Sequence, residues 1–170
     1  MHARVVVALL ASWLWVVVAT PPCNAANLFV STTGSDAWPG TAAQPWRTLQ
    51  FAAEQVAADD FVTVRPGSYA GFHLDTNGTA AAPIQFFAEP GVLINAPNPV
   101  RTQHGINLEN ASHVVIDGFS VTGMQRAGVR SVGVDGDSLA SHVTIRNEAT
   151  NTIHEGGRKA SRLVVPVIPR

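Results

Sequence analysis

Apolar and polar positions alternate in short bursts along the chain, with turn residues between them. Val62-Thr63-Val64, Ile84-Gln85-Phe86, Val114-Val115-Ile116 and Val143-Thr144-Ile145 each place two apolar side chains on one side of a strand. The hexapeptide Ala111-Ser112-His113-Val114-Val115-Ile116 returns 29 residues later as Ala140-Ser141-His142-Val143-Thr144-Ile145, with five of six residues identical. A turn follows each triplet: Arg65-Pro66-Gly67, Glu89-Pro90-Gly91, Asp117-Gly118 and Arg146-Asn147. Further triplets fill the spaces, Val92-Leu93-Ile94 and Phe119-Ser120-Val121 after the first set, Ile106-Asn107-Leu108 and the 129–132 run before the next. A unit therefore reads strand, turn, strand, longer turn, strand, turn, with a period near thirty residues.

One coil of this kind buries nothing by itself. Stacked coils pair their backbones about 4.8 Å apart and enclose a shared core, so the pattern predicts an all-β, right-handed parallel β-helix of about three to four coils. A β-sandwich also has short strands and turns, but its hairpin connections give no reason for Ala-Ser-His-Val to recur in register. One helix is expected. Thr48 is a candidate N-cap, and Leu49, Ala52, Ala53 and Val56 form a small apolar stripe at helical spacing over 49 to about 58. That helix suits a cap across the open end of a solenoid. Leu28-Phe29-Val30 reads as a strand before it, and 34–45 as a loop.

The first 25 residues have a different character. A short basic start precedes 15 nearly unbroken apolar residues, 5–19, too few to span a bilayer. Pro21 and Pro22 then break the segment, and the small side chains of Cys23 and Ala25 suit a signal-peptidase site before Ala26. The expected organisation is a signal peptide at 1–25, a strand, loop and capping helix at 26–60, coils at 61–152, and an off-pattern basic tail at 153–170. Localisation is then secreted or extracellular, with no stable membrane anchor.

Composition narrows the function classes. Among 170 residues, 46% are hydrophobic and 14% charged, which excludes a disordered chain. The net charge of −1 lacks the basic footprint of a nucleic-acid binder. The single cysteine forms no internal disulfide, so burial and hydrogen bonds must hold the fold.

The segments Leu28-Phe29-Val30-Ser31-Thr32-Thr33-Gly34-Ser35-Asp36, Pro39-Gly40-Thr41, Pro45-Trp46-Arg47-Thr48-Leu49-Gln50 and Val62-Thr63-Val64-Arg65-Pro66-Gly67-Ser68-Tyr69 resemble the opening of secreted parallel β-helix proteins of the pectate-lyase-like superfamily. The resemblance covers roughly 27–151. It implies a carbohydrate-directed protein of the polysaccharide-lyase type, and relatives that run to several hundred residues. Against that length the chain reads as an N-terminal, truncated portion and an incomplete enzyme. A non-catalytic polysaccharide-binding surface or matrix protein and a uronate epimerase are the alternatives on the same scaffold. No catalytic residue is assigned: a lyase needs a base beside a neutralised uronate, and the only lysine, Lys159, falls in the tail.

Three groups of residues are candidates for the site. Arg65, Phe87, Asp117 and Arg146 follow the triplets at one outward phase, and Arg65, Asp117 and Arg146 are the expected substrate contacts for an anionic sugar chain. Asp135 and Asp137 lie in a turn six residues longer than its counterpart one repeat earlier, where they are candidate ligands for Ca²⁺, though two carboxylates fall short of its six to eight oxygens. His113 and His142 share a phase and are expected to stack. The expected partner is a polysaccharide, with self-association through the open C-terminal coil as a further expectation.

Overall fold

The alternating triplets fold into stacked parallel coils in the computed structural model, which describes residues 25–133, 142–146, 149–150 and 153–155. Strand β1 (Asn27–Val30) leads into helix α1 (Leu49–Gln55). The first coil comprises β2 (Phe61–Val64), β3 (Gly67–Ala70) and β4 (Phe72–Leu74), and the second β5 (Ile84–Ala88), β6 (Val92–Ala96) and β7 (His104–Glu109). The third has β8 (Val114–Asp117), β9 (Ser120–Val121) and β10 (Ala127–Val132), and the fourth β11 (Val143–Arg146), β12 (Ala149–Thr150) and β13 (Ile153–Glu155). Equivalent strands stack into three sheets ordered β1-β2-β5-β8-β11, β3-β6-β9-β12 and β4-β7-β10-β13, every pair parallel. This is the all-β, right-handed parallel β-helix that the pattern predicts.

Period-2 alternation sends one side chain in two to the axis. Val62, Phe86, Ile116 and Ile145 line up across the first sheet, and Phe72, Ile106 and Val129 across the third. Phe72 lies flat on Phe86 with ring centroids 4.9 Å apart and tilts against Phe119 at 6.1 Å. All three rings are fully buried, so each contributes roughly 2–3 kcal/mol of apolar transfer.

The cap forms as expected and ends earlier. The Thr48 hydroxyl accepts from the Phe51 N–H at 3.2 Å, and Leu49, Ala52 and Ala53 are buried. The helix stops at Gln55 rather than near residue 58 because the Asp60 carboxylate captures the chain. Its Oδ2 accepts from the Ala57 N–H at 2.8 Å and its Oδ1 from the Ala26 N–H at 3.1 Å. Gln50 fastens the cap to the first coil, its Oε1 accepting from the His73 N–H at 2.8 Å.

Two corrections concern register and extent. Val62 stands opposite Phe86 rather than Ile84, so the first coil sits two residues away from the simple triplet alignment. A two-residue slip keeps every side chain on its own face, so alternation alone does not detect it. Val64 against the small buried Ala88 sets the observed register. The coil pattern also passes residue 152: Ile153 pairs with Val129, so 153–155 belongs to the third sheet rather than to a tail.

Glycine is required where the second sheet bends into the third. A Cβ on Gly71 would sit 2.0 Å from the Gly105 carbonyl oxygen, and one on Gly105 2.7 Å from that of Gly128. Three stacked glycines let successive backbones approach at this corner. Residues 1–24, nearly all of the expected signal peptide at 1–25, and residues 156–170 of the expected tail lie outside the described residues. No helix among the described residues is long and apolar enough to cross a membrane.

Candidate functional site

The outward face of the third sheet carries a polar network built on one strand position repeated coil by coil. His73, Asn107, Arg130 and His154 occupy consecutive register positions on β4, β7, β10 and β13. The sequence neighbours of His73, Asn107 and Arg130 are inward buried residues, so alternation obliges these three positions to point outward. Asn107 is nevertheless fully buried, covered by the side chains that bond to it. Its Nδ2 lies 2.7 Å from His73 Nδ1 and donates to Glu109 Oε2 at 3.3 Å, while its Oδ1 accepts from Arg130 Nη1 at 2.8 Å.

Beside this column the 97–103 loop closes a cleft of about 490 Å³ lined by Arg101, Glu109, Arg126 and Arg130 together with Thr102 and Gln103. Pro97 and Pro99 stiffen the loop, and buried Asn98 pins it from inside. The Asn98 amide donates to the His104 and Gly105 carbonyls at 3.0 and 3.2 Å, and its Oδ1 accepts from the Val100 and Arg101 N–H groups. Arg101 is thereby fixed against Glu109 in a two-pronged pair, Nη2 donating to Oε1 at 2.7 Å and Nε to Oε2 at 2.8 Å. Arg130 Nη1 approaches the same carboxylate at 3.7 Å. The Arg101 hydrogen bonds, with help from Asn107 and Arg130, hold the Glu109 carboxyl down to about 2. The same pairing pushes the Arg101 guanidinium further up. Among the described residues three arginines and one carboxylate, already engaged on both oxygens, line the cleft and leave it positive. Arg126 has an exposed side chain and makes no ion pair among the described residues.

The sequence-predicted contacts lie elsewhere. Phe87, Asp117 and Arg146 do form a column on the outward side of the first sheet, on a different sheet from this cleft. Arg65 does not join it. The two-residue register shift puts Thr63 opposite Phe87, and Arg65 instead donates from Nη2 to the Ala42 carbonyl at 2.6 Å with its guanidinium 5.5 Å from the Phe29 ring centre. Arg65 thus straps the N-terminal loop to the first coil. His113 and His142 stack as expected, with centroids 4.4 Å apart and planes 12° from parallel. Asp135 and Asp137 lie outside the described residues.

A Ca²⁺ ion finds no fitting donor set in the described part of the cleft. Its only carboxylate, Glu109, is consumed by Arg101 with Arg130 beside it, and Arg126 adds a third cation to the lining. Among the described residues no three histidine, cysteine or acidic side chains converge as metal ligands. Sequence reasoning missed the cleft because it followed the turn after the first strand of each unit. The available signal was Asn107 and Arg130, polar residues repeated at the middle of the third-strand triplets, next to a loop with two prolines.

No protein-family model matches the sequence. Over 82 residues the chain is 34% identical to pectate lyase PEL9 of Emericella nidulans, a stretch covering 46% of this chain and 20% of that protein. The crystal structure of the GH136 lacto-N-biosidase from Eubacterium ramulus matches it with a TM-score of 0.60 at 17% identity, over 72% of this chain and 26% of the other. A rhamnogalacturonan lyase matches with a TM-score of 0.48 at 24% identity, over 69% and 32% of the two chains. The chain thus spans about a fifth of the curated relative's length and about a quarter of the biosidase. The biosidase likeness establishes the fold, and the sequence likeness is to part of a carbohydrate-active enzyme.

Proposed function

We propose that this protein binds an acidic polysaccharide along the outward face of the third sheet, with the arginine cleft holding uronate carboxylates. The observation that carries the reading is the placement of Arg101, Arg126 and Arg130 around one cleft whose only carboxylate among the described residues is already engaged. Guanidinium groups match carboxylates in charge and in fork geometry, and a stiff loop presents them with little ordering cost. Partial sequence likeness to a pectate lyase supports the same ligand class. Secretion through the 1–25 leader brings the protein to such polymers.

Binding is favoured over elimination as the role of these coils. Arg101 is held charged by Glu109, and Arg130 is engaged by Asn107 and Glu109, so neither is poised to take a C5 proton.

Calorimetric titration of the folded chain with trigalacturonate and with neutral galactotriose tests the reading. The acidic trimer binds, added salt weakens it, and Arg126→Ala and Arg130→Ala each reduce affinity by roughly tenfold, the value of one charge-assisted hydrogen bond. Equal binding of the neutral trimer, or no loss in either variant, overturns it. Ultraviolet absorbance followed in the same samples detects an unsaturated product and would add elimination to binding.

A further inference from the structure

We infer that His73 is a positioning residue for the cleft: as a neutral hydrogen-bond acceptor it orients Asn107, and Asn107 in turn holds Arg130 in its binding position. The inference rests on the proposed anionic cleft for its consequence and on the His73–Asn107–Arg130 geometry for its substance.

The amide of Asn107 is bonded at three sides. Nδ2 faces His73 Nδ1 at 2.7 Å and Glu109 Oε2 at 3.3 Å, and Oδ1 faces Arg130 Nη1 at 2.8 Å. An NH₂ group has only donors and the guanidinium only donors, so this orientation requires an acceptor at His73. Neutral imidazole with Nδ1 unprotonated supplies it. Imidazolium presents N–H at both ring nitrogens and sets two donors against each other at 2.7 Å. The conflict has two resolutions. If the ring withdraws, buried Asn107 loses a partner. If the amide turns over, its NH₂ meets the Arg130 donor and its oxygen meets the Glu109 carboxylate. Either way the support of Arg130 weakens, because Asn107 is fully buried and no solvent replaces the missing bond.

The groups around His73 do not remove this conflict. On α1, Gln50 bonds the His73 backbone and holds Glu54 at 3.0 Å from its own amide nitrogen. Glu109 stands on β7 and Arg130 on β10, and His154 occupies the far register position on β13. Glu109 favours a charged imidazole and Arg130 opposes it, and the range over which the two are tested is pH 5 to 8. The added charge does little for a bound uronate directly. His73 is two strands from Arg130, about 10 Å away, near the screening length at ordinary salt. Uronate carboxyls remain ionised throughout this range. Acidification therefore weakens binding through Arg130.

The test has two arms on the full chain. In the first, without ligand, NMR follows the His73 ring nitrogens, the Asn107 side-chain NH₂ and the Arg130 Nε–H from pH 8 to pH 5. The Asn107 and Arg130 signals shift with the His73 titration midpoint, and in His73→Gln, which keeps an uncharged acceptor, they stay flat. In the second, trigalacturonate affinity of the wild type falls about three- to tenfold over the same range, the value of one hydrogen bond. His73→Gln holds the high-pH affinity throughout, and His73→Phe, without an acceptor, is weak at every pH. If Asn107 and Arg130 ignore the His73 titration, the inference is overturned whether or not sugar binds. If they follow it while trigalacturonate fails to bind at any pH, the positioning role stands and the functional reading falls.

Discussion

Glu109 offers a quantitative probe of the network, because its carboxylate is where the cleft and the fold meet. It accepts from Arg101 at 2.7 and 2.8 Å and from Asn107 at 3.3 Å, with Arg130 at 3.7 Å. These partners lower its pKa from 4.5 to about 2. In full, such a displacement corresponds to about 3 kcal/mol. Arg101 is half exposed, at 50%, so solvent screening reduces the contribution to about 1–2 kcal/mol. The folded-state pKa is depressed, so this stabilisation is complete above about 4.5 and is lost as the pH falls through about 2. Glu109→Gln keeps the shape and one acceptor while removing the charge. Urea unfolding of both proteins should show a gap of about 1–2 kcal/mol at pH 7 that stays level down to about pH 4.5 and closes towards pH 2. A gap that is independent of pH, or no gap at pH 7, would refute the reasoning and make Glu109 a bystander of the loop.

Two substitutions probe the coil itself. Phe72→Ala removes a fully buried ring from between Phe86 and Phe119, and unfolding should register a loss of about 3–5 kcal/mol. A loss below about 1 kcal/mol would mean that the three rings do not share one core. Gly71→Ala drives a Cβ to 2.0 Å from the Gly105 carbonyl oxygen, a backbone atom that cannot step aside, and should cost at least about 2 kcal/mol. Ser68→Ala, three residues away and exposed, should stay within about 0.5 kcal/mol and serves as the control.

The fold was legible because its evidence is repetitive. The recurrence of Ala-Ser-His-Val-x-Ile across 29 residues requires stacked equivalent strands, and the structure places Val143 on Val114 and Ile145 on Ile116 as the repeat demands. Thr48 and the Leu49, Ala52, Ala53 stripe likewise announced the cap. Where the repeat is degenerate, between the first coil and the second, the pattern leaves register open by two residues and places Arg65 in a column that Thr63 occupies. The cleft was harder for a different reason. Arg101 and Glu109 are eight positions apart and Asn107 and His73 thirty-four, and nothing in composition or spacing marks them as partners. Their meeting depends on which coil positions stack and on a loop held from within by Asn98. Local pattern determines which way a side chain points, whereas a site needs the register and the loops as well.

The central claim is that acidic sugar is held on the third sheet by the arginine cleft, and not on the first sheet by the Phe87, Asp117 and Arg146 column. Chemical-shift mapping of the isotope-labelled chain during titration with trigalacturonate tests this most directly. The account predicts saturable shifts concentrated at Arg101, Glu109, Arg126 and Arg130, with Asn107 and His73 following and the first-sheet column silent. Shifts centred on Phe87, Asp117 and Arg146, or none at saturating trimer, would contradict it.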